Sequence, residues 1–197
     1  LGTILLLVAF NCAMTFALEP YGSKSEVMWQ EYRAQDRIDT VYVGTSRTER
    51  SFDPAVIDAA LGTSSYNMGT PNQALEESFI GVQTAYADYG IERVVLGLDY
   101  FMLADTETIN MGSAYLRQRS RVVSTVDSIR ALGYFVAKGA AVSTDSLNWP
   151  FPWLSNTAEL TVDAVKKNME MKRDGTTMSE YWVKFKDHPG TTFDVVC

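Results

Sequence analysis

The sequence predicts a single α/β domain in three layers, a doubly wound parallel sheet with helices on both faces. Three short apolar runs alternate with helical segments through the first half of the chain. The connections between them are short, which favours right-handed parallel crossovers. Strands that are apolar throughout indicate a sheet covered on both sides. With 197 residues and 46% hydrophobic side chains, the chain is large enough to bury one hydrophobic core.

The amino-terminal segment, residues 1–18, is apolar and contains no charged residue. A helix needs about 20 apolar residues to span a bilayer, and Ile4 to Phe10 lacks the polar side of a surface-packed helix. We therefore interpret residues 1–18 as a truncated transmembrane signal anchor in the cell membrane. Residues 19–37 are then a juxtamembrane stalk or helix, and residues 38–197 are the domain, on the extracytoplasmic side. The alternative is that residues 1–18 form a buried first helix.

The first strand and the helix after it have clear local signals. The run Asp39–Val43 is β-branched and aromatic and is closed by Gly44, which is typical of a short buried strand. Asp53 is expected to cap the following helix, and Pro54 to occupy its first position, where the missing N–H costs nothing. This helix should stop near Gly62.

The next segments repeat the order of strand and helix. We expect a second strand over Ser64–Met68 and a helix over Leu75–Tyr89 that ends at Gly90. Arg93–Leu98 is predicted as the third strand, because it is again apolar and β-branched.

The second half of the chain has weaker signals. Two further helices are expected, over Ala114–Leu132 and Thr157–Met171. Between them, Asn148–Trp153 is rigid and aromatic. Its rings either cap the core or form a lip over a crevice, and the first interpretation is favoured because aromatic clusters usually serve packing.

Polar residues follow the carboxyl ends of the three strands, where ligands gather in parallel sheets. Ser46 follows the first strand, Gly69 and Asn72 follow the second, and Asp99 follows the third. We expect these residues to border one crevice. The Ser46 hydroxyl can stand clear of the sheet edge there as a nucleophile, or it can simply hydrogen-bond the turn.

A longer pattern surrounds Ser46. It consists of a strand, the turn Gly44-Thr45-Ser46, the helix start Phe52-Asp53-Pro54 and the second strand and turn over Tyr66–Gln73. In order and in residues, this region resembles the opening of SGNH/GDSL-type hydrolases, which have a flavodoxin-like sheet. It is most similar to the membrane-anchored bacterial envelope branch, which includes proteins of D-alanyl-lipoteichoic acid biosynthesis and of polysaccharide O-acetylation.

The resemblance implies a set of roles for the candidate residues. Ser46 maps to the nucleophile, and the backbone N–H groups of Ser46 and Gly69 map to the donors that stabilise a tetrahedral oxyanion. Asn72 would add a side-chain amide, or it caps the helix that starts near Leu75; both interpretations stay open. Asp99 would orient a substrate or a catalytic partner, or it is an N-cap or loop carboxylate.

The chain also departs from the family pattern. Thr45 stands where the best-known motif has Asp, and Gly97-Leu98-Asp99-Tyr100 replaces the family's Gly-x-Asn-Asp. The sole histidine, His188, directly follows Asp187, whereas the family has Asp-x-x-His. Adjacent side chains point in different directions, so His188 and Asp187 are doubtful as base and acid, and a surface turn is the favoured interpretation. We expect the catalytic Asp and His beyond Cys197, with the domain incomplete at that end.

Two functions of different class follow. The leading hypothesis is an extracytoplasmic acyl esterase or O-acyltransferase that acts on a cell-envelope glycan or polymer through an acyl-Ser46 intermediate. The alternative is a catalytically inactive, membrane-anchored binding or assembly module of the cell envelope. A nucleotide-binding role is disfavoured because the sequence has no Gly-rich phosphate loop.

Composition argues against several other classes. The net charge of −7 and the absence of a basic tract disfavour nucleic acid as a partner. Two cysteines, Cys12 and Cys197, and one histidine supply neither a disulfide framework nor a metal-ligand cluster. We expect no metal and no cofactor.

Overall fold

The computed structural model of the chain describes residues 2–19, 24–103, 108–109, 114–142, 149, 151, 153–154 and 161–174. The helices are α1 (Gly2–Leu18), α2 (Lys24–Arg33), α3 (Ser46–Ser51), α4 (Pro54–Leu61), α5 (Leu75–Tyr89), α6 (Ala114–Val122), α7 (Thr125–Ala137) and α8 (Val162–Asp174). The strands are β1 (Thr40–Gly44), β2 (Ser65–Asn67), β3 (Arg93–Gly97), β4 (Thr108–Ile109) and β5 (Ala141–Val142). A short 3₁₀-helix covers Tyr100–Leu103.

The main sheet is small, open and parallel, with the strand order β2-β1-β3. In its register, Thr40 of β1 lies opposite Ser65 on one side and Arg93 on the other. The strands β4 and β5 form a separate parallel pair. The chain is therefore α/β, as the sequence predicts.

The central strand β1 is buried along its whole length. Because side chains alternate along a strand, Val41 and Val43 face one side of the sheet and Tyr42 faces the other. Val41 and Val43 belong to a core cluster built with side chains from α2, α5 and α6. Tyr42 stacks on Phe52, with ring centroids 4.7 Å apart. Both faces of β1 are thus covered, whereas Val94 and Leu96 of β3 remain partly exposed.

The aromatic side chains of α2 lie in this core. Trp29 and Tyr32 are fully buried. The Trp29 indole N–H donates to the backbone oxygen of Tyr115 at 3.0 Å, and the Tyr32 hydroxyl donates to Asp88 at 2.9 Å. The segment predicted as a stalk or helix at residues 19–37 therefore contains a helix that belongs to the folded unit.

The helices α4 and α5 begin and end where the sequence predicts. The Asp53 carboxylate caps α4 by accepting from the Ala55 N–H at 3.0 Å. Left-handed glycines end both helices: Gly62, with φ 67°, follows α4, and Gly90, with φ 65°, follows α5. This backbone conformation satisfies the last helical carbonyl groups at little steric cost.

The helix predicted over Ala114–Leu132 is instead two helices, α6 and α7. Ser124 has an extended backbone, and its hydroxyl accepts from the Asp127 N–H at 3.2 Å as the N-cap of α7. A serine with a local hydrogen-bond partner favours a cap over a helix interior, which explains the break.

The prediction of a transmembrane anchor at residues 1–18 is wrong, and with it the localisation in the cell membrane. Within the described ranges, no helix has the length and apolar character needed to cross a membrane.

The carboxyl end of α1 is instead fixed to the rest of the fold. Asn168 donates to the backbone oxygen of Leu18 at 3.1 Å, and Lys172 donates to that of Glu19 at 2.8 Å. The Glu19 carboxylate pairs with Arg117 at 3.0 Å. Positive side chains at this end of a helix also complement its dipole.

Three rings of the predicted aromatic segment Asn148–Trp153 lie within the described residues, and one of them, Phe151, is exposed. Trp149 packs against the core cluster. Trp153 lies edge-on to Phe10 of α1 at 6.1 Å and donates to the Asn11 side chain at 2.8 Å. Trp149 and Trp153 therefore serve packing, the favoured of the two interpretations.

Candidate functional site

Ser46 is the first residue of α3, a six-residue helix that begins directly after β1. The turn predicted at Gly44-Thr45-Ser46 therefore continues into a helix. This helix is too short to produce a recognisable helical periodicity in the sequence. Thr45 is its N-cap, with a side-chain oxygen that accepts from the Arg47 N–H at 3.4 Å. Thr is among the residues that favour this position, so α3 is encoded locally in spite of its length.

Glycines at the ends of all three strands let α3 lie against the carboxyl edge of the sheet. A Cβ on Gly44 would lie 2.6 Å from the carbonyl oxygen of Gly97 and against the Thr48 hydroxyl, and the φ of Gly44, 144°, is itself unfavourable for other residues. A Cβ on Gly97 would also meet the Thr48 hydroxyl. A Cβ on Gly69 would lie 2.8 Å from the backbone N of Glu49.

Asn67, at the end of β2, attaches this strand to α3. Its amide nitrogen donates to the carbonyl oxygens of Thr48 at 3.0 Å and Phe52 at 2.9 Å. Its side-chain oxygen accepts from the Gly69 N–H at 3.0 Å. The Gly69 N–H, one of the two that the family resemblance assigns to oxyanion stabilisation, is therefore already bonded. Asn67 is a positioning residue that sequence reasoning missed. The Asn-x-Gly spacing was the available signal.

Asp99 joins the end of β3 to the turn that carries Ser46. Its side chain is only 5% exposed, and Arg47 Nη1 lies 2.8 Å from its Oδ1. The Thr45 hydroxyl donates to its other oxygen, Oδ2. Both oxygens thus hold the Ser46 turn, which fits the interpretation of Asp99 as a loop carboxylate; its role in orienting a substrate or a catalytic partner stays a prediction. Thr45, the departure from the Gly-Asp-Ser motif, supplies the hydroxyl for this bond.

Asn72 lies in an exposed turn with φ 55°, a left-handed conformation that Asn tolerates. It does not cap α5, because the N-cap is Ala74, whose N–H donates to the Glu77 carboxylate at 2.8 Å. Its neighbour Gln73 is fully buried; it accepts from the Gly44 N–H at 2.8 Å and so ties the β1 end to the β2 turn. Sequence reasoning did not identify Gln73.

The Ser46 side chain is partly buried. Its hydroxyl and its backbone N–H make no hydrogen bond to any residue that the structure describes. The first N–H groups of a helix have no partner within the helix. The site therefore presents a hydroxyl and an N–H side by side, without a described base.

The remaining site predictions fall elsewhere. His188 and Asp187 lie outside the described residues. Among those that the structure describes, no group of His, Cys, Asp and Glu is arranged to hold a metal ion.

Comparisons of the chain with protein-family models, curated protein sequences and solved structures found no match. The resemblance to SGNH/GDSL-type hydrolases stays a prediction from the sequence.

Proposed function

We infer that the protein is a serine-dependent acyl esterase or O-acyltransferase that works through an acyl-Ser46 intermediate. The observation that carries this inference is the position of Ser46. Its hydroxyl is free of described partners and partly accessible, on the first turn of a helix fixed to the ends of all three strands. Nucleophiles that must be both exposed and rigid favour such a position at the carboxyl edge of a parallel sheet.

The strand order supports the finer fold assignment within this proposal. Flavodoxin-like sheets begin with the order 2-1-3, and β2-β1-β3 has that order with parallel pairing. An SGNH-type doubly wound sheet would extend it beyond β3.

The proposed reaction has two steps. Ser46 Oγ bonds to the carbonyl carbon of an ester while its proton passes to a base, and the alcohol leaves with a proton. Water, or the hydroxyl of an acceptor such as a glycan, then takes the acyl group, and Ser46 regains its proton. The proposed base is His188, the sole histidine of the sequence.

Electrostatic stabilisation would come from the Ser46 N–H, which lies next to the reacting oxygen. Removing one such donor typically costs about 3 kcal/mol of transition-state stabilisation. The Gly69 N–H donates to the Asn67 side-chain oxygen at 3.0 Å. It would contribute only if it left this oxygen and donated to the oxyanion instead.

The test is hydrolysis of 4-nitrophenyl acetate by the full gene product and two serine variants. Ser46→Ala should abolish turnover, whereas Ser51→Ala, at the exposed end of the same helix, should leave it unchanged. Equal loss in both variants, or equal activity, would argue against Ser46 as the nucleophile, provided that both variants unfold at the same urea concentration.

The bonded Gly69 N–H favours a second candidate, a catalytically inactive binding module. In that case Ser46 only begins α3. A folded gene product with no Ser46-dependent turnover would support this alternative.

A further inference from the structure

Arg47 directly follows Ser46 and is both exposed and paired with a buried carboxylate. Its side chain is 78% exposed, yet its guanidinium is fixed at 2.8 Å from a carboxylate that is only 5% exposed. The same carboxylate, that of Asp99, is held by the Thr45 hydroxyl. An accessible cation is therefore held in one place beside the candidate nucleophile.

The bond to Asp99 leaves most of the Arg47 hydrogen-bonding capacity unused. A guanidinium has five N–H donors in a planar fork, and Asp99 engages Nη1. No other partner of the Arg47 guanidinium is found among the described residues. Because the fork matches the oxygens of carboxylate and phosphate groups, the free donors suit an oxyanion.

A second exposed arginine stands on the same side of α3. Arg50 is exposed, and residues three apart on a helix are neighbours. The chain as a whole carries a net charge of −7, so two exposed arginines beside Ser46 run against the overall charge. The partly buried Glu49 has other contacts.

We propose that Arg47, assisted by Arg50, binds an anionic group, a carboxylate or phosphate, of the acylated substrate or acceptor. This inference rests on the proposed function of Ser46 and names the class of its substrate as an ester whose alcohol part is negatively charged. Fixing a guanidinium before binding lowers the conformational entropy lost when the ligand binds, which is what the Asp99 bond does for Arg47.

The chain contains a matched control at the opposite end of β1. Arg37 is 74% exposed and pairs with Asp39, which is 7% exposed, at 3.3 Å. Arg37→Gln therefore removes the same charge from the same kind of pair, at the amino end of the strand. Arg50→Gln removes a cation beside Ser46 while the Arg47–Asp99 pair stays intact.

The experiment has a binding arm and a turnover arm on the full gene product. Binding of 4-hydroxybenzoate and of 4-hydroxyphenyl phosphate is followed by NMR titration, with methyl 4-hydroxybenzoate as the neutral reference. Turnover is measured with the acetyl esters of the same three phenols. We expect the anions to bind at least fivefold more tightly than the neutral phenol. Arg47→Gln should remove this preference, Arg50→Gln should reduce it, and Arg37→Gln should leave it unchanged.

The outcomes separate the two proposals. If binding of the anions depends on Arg47 but no ester is turned over in a Ser46-dependent way, the anion site stands and the acyl-Ser46 function fails. If Ser46-dependent turnover occurs without preference for the charged esters, or if Arg37→Gln and Arg47→Gln have equal effects, the anion site is overturned. The preference for carboxylate or phosphate identifies the anion.

Discussion

The contact between α3 and the sheet can be tested by giving Gly97 a side chain. The Cβ of a Gly97→Ala variant would collide with the Thr48 hydroxyl, while the other nearest atoms, Thr48 Cβ at 3.4 Å and the Val43 carbonyl oxygen at 3.8 Å, are at ordinary contact distance. Thr48 is buried and has a β-branched side chain, so it has little freedom to turn away. Overpacking of this kind typically costs about 1–3 kcal/mol.

A cost of about 2 kcal/mol would lower the urea unfolding midpoint by roughly 1 M. Because the collision involves one hydroxyl, Thr48→Ala should relieve it. The double variant should then be no less stable than Thr48→Ala alone. In the double-mutant cycle, this corresponds to a coupling free energy of about 2 kcal/mol between positions 48 and 97. Gly133→Ala is the control, since a Cβ there meets nothing within 4 Å and alanine favours a helix by roughly 0.5–1 kcal/mol. An unchanged midpoint for Gly97→Ala, or no recovery in the double variant, would refute the close contact between α3 and β3.

Three further predictions concern polar residues that hold elements of the fold together. Asn67→Ala should lower the free energy of unfolding by about 2 kcal/mol, because the backbone oxygens of Thr48 and Phe52 and the Gly69 N–H lose their hydrogen-bond partner. Glu19→Ala should cost about 3 kcal/mol, because it removes the carboxylate from the buried Arg117; urea unfolding measures both. Burial alone would raise the pKa of Asp39, but its hydrogen bonds and the charge of Arg93 outweigh this and hold the pKa below its ordinary value of 3.8.

The sign of the pH effect follows from that lowered pKa. The stability from the Asp39 interactions is fully present above the ordinary pKa of 3.8 and is lost as the pH falls through the lower pKa of the folded state. Unfolding of wild type and Asp39→Asn between pH 3 and pH 7 should therefore differ in slope below about pH 4. Parallel curves would contradict the assignment. Glu31→Ala, at an exposed position of α2, is the control for Glu19→Ala and should change little.

Local signals in the sequence were sufficient for much of the first half of the fold. Asp53 and Pro54 specify the start of α4 within adjacent residues, and Gly62 and Gly90 end helices through their own backbone conformation. The β-branched residues of β1 likewise indicate, from the sequence alone, that this strand is buried. Each of these features depends on interactions within a few residues, so it can be predicted without knowing which distant segments are in contact.

The site itself depends on contacts that sequence spacing does not reveal. Thr45 and Asp99 are 54 positions apart, and their bond exists only because β1 and β3 are paired in one register. Asn67 was predicted as a strand residue, and its bonds to α3 appear only once that helix is known. Ser46 was placed correctly at the strand end, whereas its helix was too short to show periodicity.

The amino-terminal prediction was wrong for a related reason. Composition suggested a membrane span, but none of the helices that the structure describes is long and apolar enough to cross a membrane, and the carboxyl end of α1 is bound by residues far along the chain. Asn168 and Lys172 of α8 donate to the backbone oxygens of Leu18 and Glu19, and nothing in residues 1–18 signals their presence.

The most direct test of the central claim is covalent labelling of Ser46 in the full gene product by a fluorophosphonate, read by peptide mass spectrometry. The account predicts one adduct, on the peptide that contains Ser46, which is absent in Ser46→Ala and retained in Ser51→Ala. A folded protein that gains no adduct at Ser46, or gains it equally at other serines, would contradict the claim that Ser46 is an activated nucleophile.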